Sequence, residues 1–433
     1  MNECKACSSK IRRIGVVFMQ RIALKKICDI YDGPHATPKK ISEGPIYLGI
    51  DAINSDGKID YSQCAHLSEE DYKKWTKRVT PKEGDIVFSY EATLGRYALI
   101  PEGFNGCLGR RLAVIRNKSN NINERWLYYY FRSPEWTAFI QQQTVKGSTV
   151  NRISVEDFPE YTVPLMPLEK QNLIAEILSR LDRKIELNNL INDNLQQQIK
   201  LLYDYWFTQF DFPDENGKPY KSSNGRLLYN DKVSHQIPEA WTVCNLIENP
   251  LTSIIKPGVD VFDTKKYLAT ADVIGTNISI GTQIEYVTRE SRANMQPTVN
   301  SVWFAKMKNS IKHLYLNEEM KTLIDNCILS TGFCGIQCSK ESFEYVASFI
   351  EHSYFETIKN ILAHGATQEA VNNNDITKIP FVIPSAKILR LFHEKTQSIY
   401  SQISKNICEN QELTKLRDWL LPMLMNGQAT LSD

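Results

Sequence analysis

The chain has 433 residues, 42% of them hydrophobic, which is enough to bury more than one core and sets two or three domains as the expectation. Its formal net charge of +1 excludes a globally basic nucleic-acid coat, so any DNA affinity must come from local patches or from partner subunits. The start, MNECKACSSK, lacks the apolar core of a signal peptide, and no apolar run approaches the ~20 residues of a membrane span; a cytoplasmic protein without membrane attachment is expected.

Residues 1–21 form a basic, weakly patterned lead-in (Lys10, Arg12, Arg13, Arg21). A first globular segment, 22–166, opens with short β-type runs (GPIYLGIDAI, GDIVFSY, RYALIPE, RRLAVIRN) separated by turns at Asp32-Gly33-Pro34, Asp56-Gly57 and Glu83-Gly84. A helical pattern over 123–145 is interrupted at Ser133-Pro134, and Gly147-Ser148-Thr149 then leads to Ile153, Asp157 and the strand PEYTVPLMP. A long helix is expected over 167–210. It has no Gly or Pro between 168 and 206, and Ile174, Leu178, Leu181, Ile185, Leu195, Ile199, Leu202 and Trp206 recur at spacings of three and four. Asn188 and Asn192 fall in the same narrow seam, where a buried polar layer fixes register. At ~1.5 Å per residue the rod is roughly 55 to 60 Å long. A polar connector, 211–236, a second globular segment, 237–384, a second long helix, 385–425, and a tail, 426–433, complete the chain.

Adding 218 to Leu173, Glu176, Asn188, Asn192, Leu195 and Leu202 gives Leu391, Glu394, Asn406, Asn410, Leu413 and Leu420, the same residues in the second helical pattern. Phe131, Ile140, Gly147, Thr149 and Asp157 shift likewise onto Phe349, Ile358, Gly365, Thr367 and Asp375. The chain therefore reads as two copies of one unit. The fold class is α+β: two globular domains, each a twisted β-sheet with a small helical part, joined by two long helices. The helices pair as an antiparallel coiled coil with an internal pseudo-two-fold repeat, the second seam being Phe392, Ile399, Ile403, Asn406, Asn410, Leu413 and Leu420. Within the repeat, SVWFAKMKNSIKHLYL takes the place of DIVFSYEATLGRYALI, and Tyr267-Leu268 that of Tyr47-Leu48.

No P-loop, HExxH, GxSxG, paired CxxC or Asn/Asp-Pro-Pro-aromatic methyltransferase tetrad is present, so no catalytic residue, metal or cofactor is assigned to this chain. Cys4 and Cys7, and the group Cys327, Cys334 and Cys338, lack the partners of a zinc site and read as small apolar residues. Asp214 and Lys218 in FPDENGKPYK leave open a Mg²⁺-dependent nuclease, although a solvated turn explains them better. Several turns carry what a DNA reader needs: His35, Thr37, Lys39 and Lys40; Tyr90, Thr93 and Arg96; Arg110 and Arg111; Lys146, Ser148, Thr149, Asn151 and Arg152. The matching candidates in the second copy are Lys265, Lys266, Lys306, Lys308, Asn309, Lys312, His313, Thr367 and Gln368. Arg and Asn can bond a purine edge twice, whereas Lys, Ser and Thr suit phosphates.

The stretches VPLMPLEKQNLIAEILSRLDRKIELNNLIN, LLYDYWF, GKPYKSSNGRLLYN with IPEAW, GSTVNRISVEDF and GATQEAVNNNDI together resemble the specificity (S) subunit of type I restriction-modification systems, over essentially the whole chain. The second helix departs from the pattern, because Glu169 and Gln171 have no counterpart near its start. The resemblance implies two target recognition domains, each reading half of a bipartite double-stranded DNA site. It also implies helices that set the spacing and dock two methyltransferase subunits, with restriction subunits in the full complex. S-adenosylmethionine, ATP and Mg²⁺ then belong to those partners. A non-DNA structural adaptor is the other reading.

Overall fold

A computed structural model describes residues 11–13, 20–145, 150–247, 249–427 and 429–431. The chain divides into two compact units, Met1–Arg183 with Leu416–Asp433, and Lys184–Lys415.

In the first unit, β1 (Cys28–Asp32), β2 (Ile41–Leu48), β3 (Ala65–His66), α1 (Glu69–Trp75), β4 (Ile86–Ser89), β5 (Tyr97–Leu99), β6 (Gly106–Leu108) and β7 (Leu112–Asn117) precede two short helices, α2 (Glu124–Phe131) and α3 (Pro134–Gln143). One sheet has the order β1-β7-β4-β5 and the other β3-β2-β6. Strand β4 shows why the sheet is covered on both sides. Its residues alternate, Ile86 and Phe88 entering the aromatic cluster under the helices while Val87 joins Leu48, Leu108 and Val114 on the opposite face. The interruption at Ser133-Pro134 is a helix start: Ser133 Oγ accepts the Trp136 amide at 3.3 Å, with Pro134 in the first turn. Asn123 caps α2 in the same way, at 2.9 Å. Ile11–Arg13 pairs antiparallel with Ala429–Leu431, so the lead-in and the tail form one small ribbon that local sequence pattern did not suggest.

The first long helix, α4 (Leu168–Tyr203), ends in a wide π-helical turn, Asp204–Thr208. Its opening turns belong to the first unit, where Ile174 and Leu178 meet Leu420, Leu421, Leu424 and Met425 from the end of the last helix. Arg417 donates to Asp182 at 2.8 Å, and the Tyr129 hydroxyl donates to the same carboxylate at 2.7 Å.

The second unit repeats the plan with β8 (Thr252–Ile255), β9 (Thr264–Leu268), β10 (Thr282–Glu285), β11 (Ala293–Met295), β12 (Ser301–Ala305), β13 (His313–Leu316), β14 (Cys327–Ser330) and β15 (Phe333–Cys338). Helices α5 (Phe343–Glu351), α6 (Ser353–Leu362) and α7 (Ala386–Met425) follow. Its sheets run β8-β15-β12-β13 and β10-β9-β14-β11, so the central four-stranded order is that of the first unit. A parallel strand pairing recurs as well: Leu48 opposes Leu108, and Leu268 opposes Leu329. In the helical part the repeat is offset by 219, counted between the capping residues Ser133 and His352, rather than 218. Trp136 therefore corresponds to the equally buried Phe355, and Ile140 to Lys359 instead of Ile358.

Within the second unit α4 and α7 lie antiparallel. Asn188 Nδ2 donates to Asn410 Oδ1 at 2.9 Å, and Asn406 Nδ2 to Asn192 Oδ1 at 2.8 Å. Because 188 and 406, and 192 and 410, are repeat partners, these two contacts map onto each other under the 218-residue shift. The paired seam is thus its own image. The residues named for it are buried or half-buried in every case. Residues 211–236, expected as a polar linker, are instead tied into the core of the second unit. Phe212 stacks on Tyr220 (ring centroids 4.7 Å) and on Trp241 (4.8 Å), an aromatic spacing that outweighs the polar composition.

Candidate nucleic-acid interface

In the first unit the β4–β5 hairpin places residues 90–95 at its tip, closed by the Ser89 amide donating to the Arg96 carbonyl at 3.0 Å. Two other loops bond to this tip. Tyr90 donates its amide to Arg111 O (3.2 Å), Ile153 to Tyr90 O (2.7 Å), and Ala92 to Asn151 O (3.3 Å). Gly33 donates to Leu112 O at 2.8 Å, which brings in the turn carrying His35 to Lys40. All four groups of loop residues picked from the sequence therefore converge at one end of the sheet, apart from Lys146, Ser148 and Thr149, which lie outside the described residues.

Their side chains divide by what they already touch. His35, Thr37, Lys39, Lys40, Arg110, Asn151 and Arg152 are exposed. His35 Nε2 lies 3.0 Å from Asp32, which is also paired with Arg78. Thr93 is half-buried, and its carbonyl accepts the Ser89 hydroxyl across the hairpin. Arg96 donates to Ile53 O at 2.8 Å and Arg111 pairs with Glu91 at 3.1 Å, so both guanidinium groups are already engaged in holding loops. Tyr90 requires correction as a contact residue: it is 6% exposed, part of the aromatic cluster, and burial with Asp32 nearby pushes its hydroxyl pKa upward. Lys74, Lys77 and Arg78, overlooked in the sequence, border a cleft of about 230 Å³ with Asp32 and His35. The basic run KKWTKR at the end of α1 was the available signal.

The second unit builds the same cluster from different side chains. Ala305 donates to Lys312 O (3.0 Å), Lys306 to Gly332 O (2.9 Å), Val371 to Lys306 O (3.0 Å), and Lys308 to Glu369 O (2.9 Å). Phe304 opposes His313 as Phe88 opposes Tyr97, so the tips YEATLG and KMKNSI have equal length and equivalent backbone anchors. Asn309, Thr367 and Gln368 are exposed here, as are two apolar tip residues not singled out before, Met307 and Ile311. Lys306 is half-buried. Lys308 is paired with Glu369 at 2.8 Å, and Lys312 Nζ donates to Thr270 O.

Three expectations in this unit need correction. Lys265 and Lys266 sit on β9 and line a cleft of about 520 Å³ with Gln411, Glu412 and Lys415 of α7, away from the hairpin cluster. His313 is 1% exposed, with Nδ1 2.9 Å from Glu351 and Nε2 3.1 Å from Glu356. Both ring nitrogens face acceptor-only carboxylates, which demands the doubly protonated ring. Burial opposes that charge, but the two carboxylates outweigh it and hold the His313 pKa above its ordinary value.

Gln171, which has no glutamine counterpart near the start of the second helix, stands in the first turn of α4. It is fully buried, with its amide donating to Met166 O (2.9 Å) and Asn121 O (3.0 Å) and accepting from the Asn123 amide (2.9 Å). It staples the start of α4 to its own unit, and the repeat partner Leu389 fills the corresponding place with apolar bulk. In FPDENGKPYK, Asp214 Oδ1 accepts the amides of Asn216 and Lys218, each at 2.8 Å, so this carboxylate caps a turn and the nuclease reading loses its motif. Cys327, Cys334 and Cys338 are buried, and burial raises their thiol pKa values. Cys4 and Cys7 lie outside the described residues. Among the described residues no helix is long and apolar enough to cross a membrane.

Comparison with known proteins agrees with this architecture. Residues 21–197 match the family described as type I restriction modification DNA specificity domain. The chain is 24% identical over 445 residues to the type I restriction enzyme MjaIX specificity subunit of Methanocaldococcus jannaschii, covering 98% of this chain and 93% of that one. It is 23% identical to the HindI specificity subunit of Haemophilus influenzae, covering 80% of this chain and 87% of the relative. The crystal structure of the type I restriction-modification S subunit from M. genitalium shares the fold, with a TM-score of 0.51 over 97% of this chain and 98% of that one at 14% identity. Residues 21–197 thus match a type I restriction modification DNA specificity domain, and the chain as a whole is similar to type I restriction enzyme specificity subunits.

Proposed function

We propose that this chain is the non-catalytic DNA sequence-specificity subunit of a type I restriction-modification complex working in the cytoplasm. Each lobe reads one half of a bipartite double-stranded site, and α4 and α7 set the unread gap and dock two methyltransferase subunits. Restriction subunits complete the assembly. S-adenosylmethionine, ATP and Mg²⁺ act on those partners. A methyltransferase must take its adenine out of the stack, so the work of this chain is to hold the duplex in the register where that base is reachable.

One observation carries the reading: two hairpin tips of equal length, hung from equivalent backbone anchors, present YEATLG in one unit and KMKNSI in the other. Holding the scaffold constant while varying the side chains is how one fold reads two words. Exposed Lys39 and Lys40 suit phosphates, Arg110, Asn151 and Asn309 suit base edges, and Met307 and Ile311 suit thymine methyl groups. Exchanging residues 22–157 for the equivalent segment of another specificity subunit should change one half of the methylated motif and leave the other intact. A change in both halves, or in neither, would refute the modular reading.

A further inference from the structure

Lys359 is the most deeply buried charged side chain among the described residues, with no exposed surface. It stands on α6 in the place of Ile140 in the first unit. A lysine costs more to bury than isoleucine, so its presence asks for a compensating set of bonds. Its ammonium donates to Ala305 O at 3.3 Å, Ser310 O at 2.9 Å and Glu356 Oε1 at 2.8 Å. Three donors meet three acceptors, a match that a neutral amine with two N–H groups could not complete. Glu356 in turn faces His313 Nε2 at 3.1 Å.

Two of those acceptors belong to the β12–β13 hairpin. Ala305 is the last residue of β12, Ser310 lies in the tip and His313 begins β13. The same short helix contributes Asn360, whose side chain accepts the Asn309 amide at 2.8 Å. The tip of the first unit is held otherwise, by the Ser89 hydroxyl bonding Thr93 O and accepting the Arg96 amide. At the matching strand position the second unit has Ala305, which offers no side-chain bond. The lysine supplies from the helix side what serine supplies from within the strand.

We infer that Lys359, with Glu356, is a positioning device for the recognition hairpin of the second unit, setting where Lys306, Met307, Asn309 and Ile311 stand against the bases without touching DNA itself. This rests on the reading of the hairpin tips as DNA readers. It gives substitution at 359 a distinctive signature: specificity relaxes in one half of the site only. A loss of general stability would weaken binding to every sequence equally.

The test uses the full chain in complex with its methyltransferase subunits. Lys359→Met keeps the length and removes the charge; Lys359→Met combined with Glu356→Gln removes both buried charges together, should the single variant not fold. Methylated motifs mapped in cells should keep one half and the gap, and lose discrimination about tenfold or more at one or two positions of the other half. Amide exchange of the purified complex should accelerate at 306–312 and not at 90–95. Unchanged motifs with unchanged exchange in a folded variant would overturn the inference, as would equal weakening of both halves. If the wild type gives no bipartite motif, the DNA reading fails, and the exchange data alone still decide whether Lys359 holds the hairpin.

Discussion

A buried ion pair is expensive unless geometry satisfies both partners, and Arg116 with Asp85 meets that condition. Asp85 is 1% exposed; Arg116 Nε and Nη2 bond its two oxygens at 2.9 and 2.6 Å, and the Lys82 amide donates to it at 2.9 Å. Arg116→Met strands a buried carboxylate and should lower the unfolding free energy of the first unit by about 2–3 kcal/mol, somewhat less than a fully enclosed pair because the arginine is partly exposed. Denaturant melts would show it, and a loss under about 0.5 kcal/mol would contradict it. In the second unit, His313 makes stability depend on pH. Its raised pKa means that its contribution is full below the ordinary histidine value of 6.5 and disappears as pH climbs through the raised one. Glu351 and Glu356 are depressed: burial opposes their charge, but His313 overcomes it, so their contribution holds above the ordinary value of 4.5 and is lost in acid. The melting-temperature gap between wild type and His313→Gln should therefore be widest between those two values and narrow on the alkaline side. A gap independent of pH would mean that the ring is neutral.

At the scale of the element, the long helices were legible because a helix writes its contacts locally, every third and fourth residue, and the Asn positions marked the polar layer. Their pairing gives a prediction of unusual sign. Asn192 and Asn406 are 4% exposed and share a single bond of 2.8 Å that leaves Asn192 Nδ2 buried without a partner, so the double replacement Asn192→Leu, Asn406→Leu should raise the unfolding free energy by about 1–2 kcal/mol. A lowered melting temperature would show that the amide layer contributes net stability rather than register alone. The sheets were only half legible. Tyr90 looked like an exposed loop residue because it stands beside Gly95 and Glu91 in sequence; its burial is decided by α2, α3 and the 153–158 segment folding over it.

For the whole molecule, the two units carry the same order in the central four-stranded sheet, and their hairpin tips differ in side chains on equivalent backbone anchors. If the helices set the gap between half-sites, deleting seven facing residues from each shortens each rod by about 10 Å, or about three base pairs. The motif methylated by the matching complex should then have a gap shorter by that amount. An unchanged gap would place the ruler elsewhere.

By itself the amino-acid sequence determined the duplication, the two rods, and their seam and asparagine layer, because periodicity is a property of neighbouring residues. Only the tertiary structure decided that His313 is enclosed while Asn309 is not, that Gln171 staples a helix start, that the aromatic connector belongs to a core, and that Ile11–Arg13 pairs with Ala429–Leu431. Each of these depends on segments tens to hundreds of residues apart being brought together, and burial is a property of that assembly rather than of any stretch of chain.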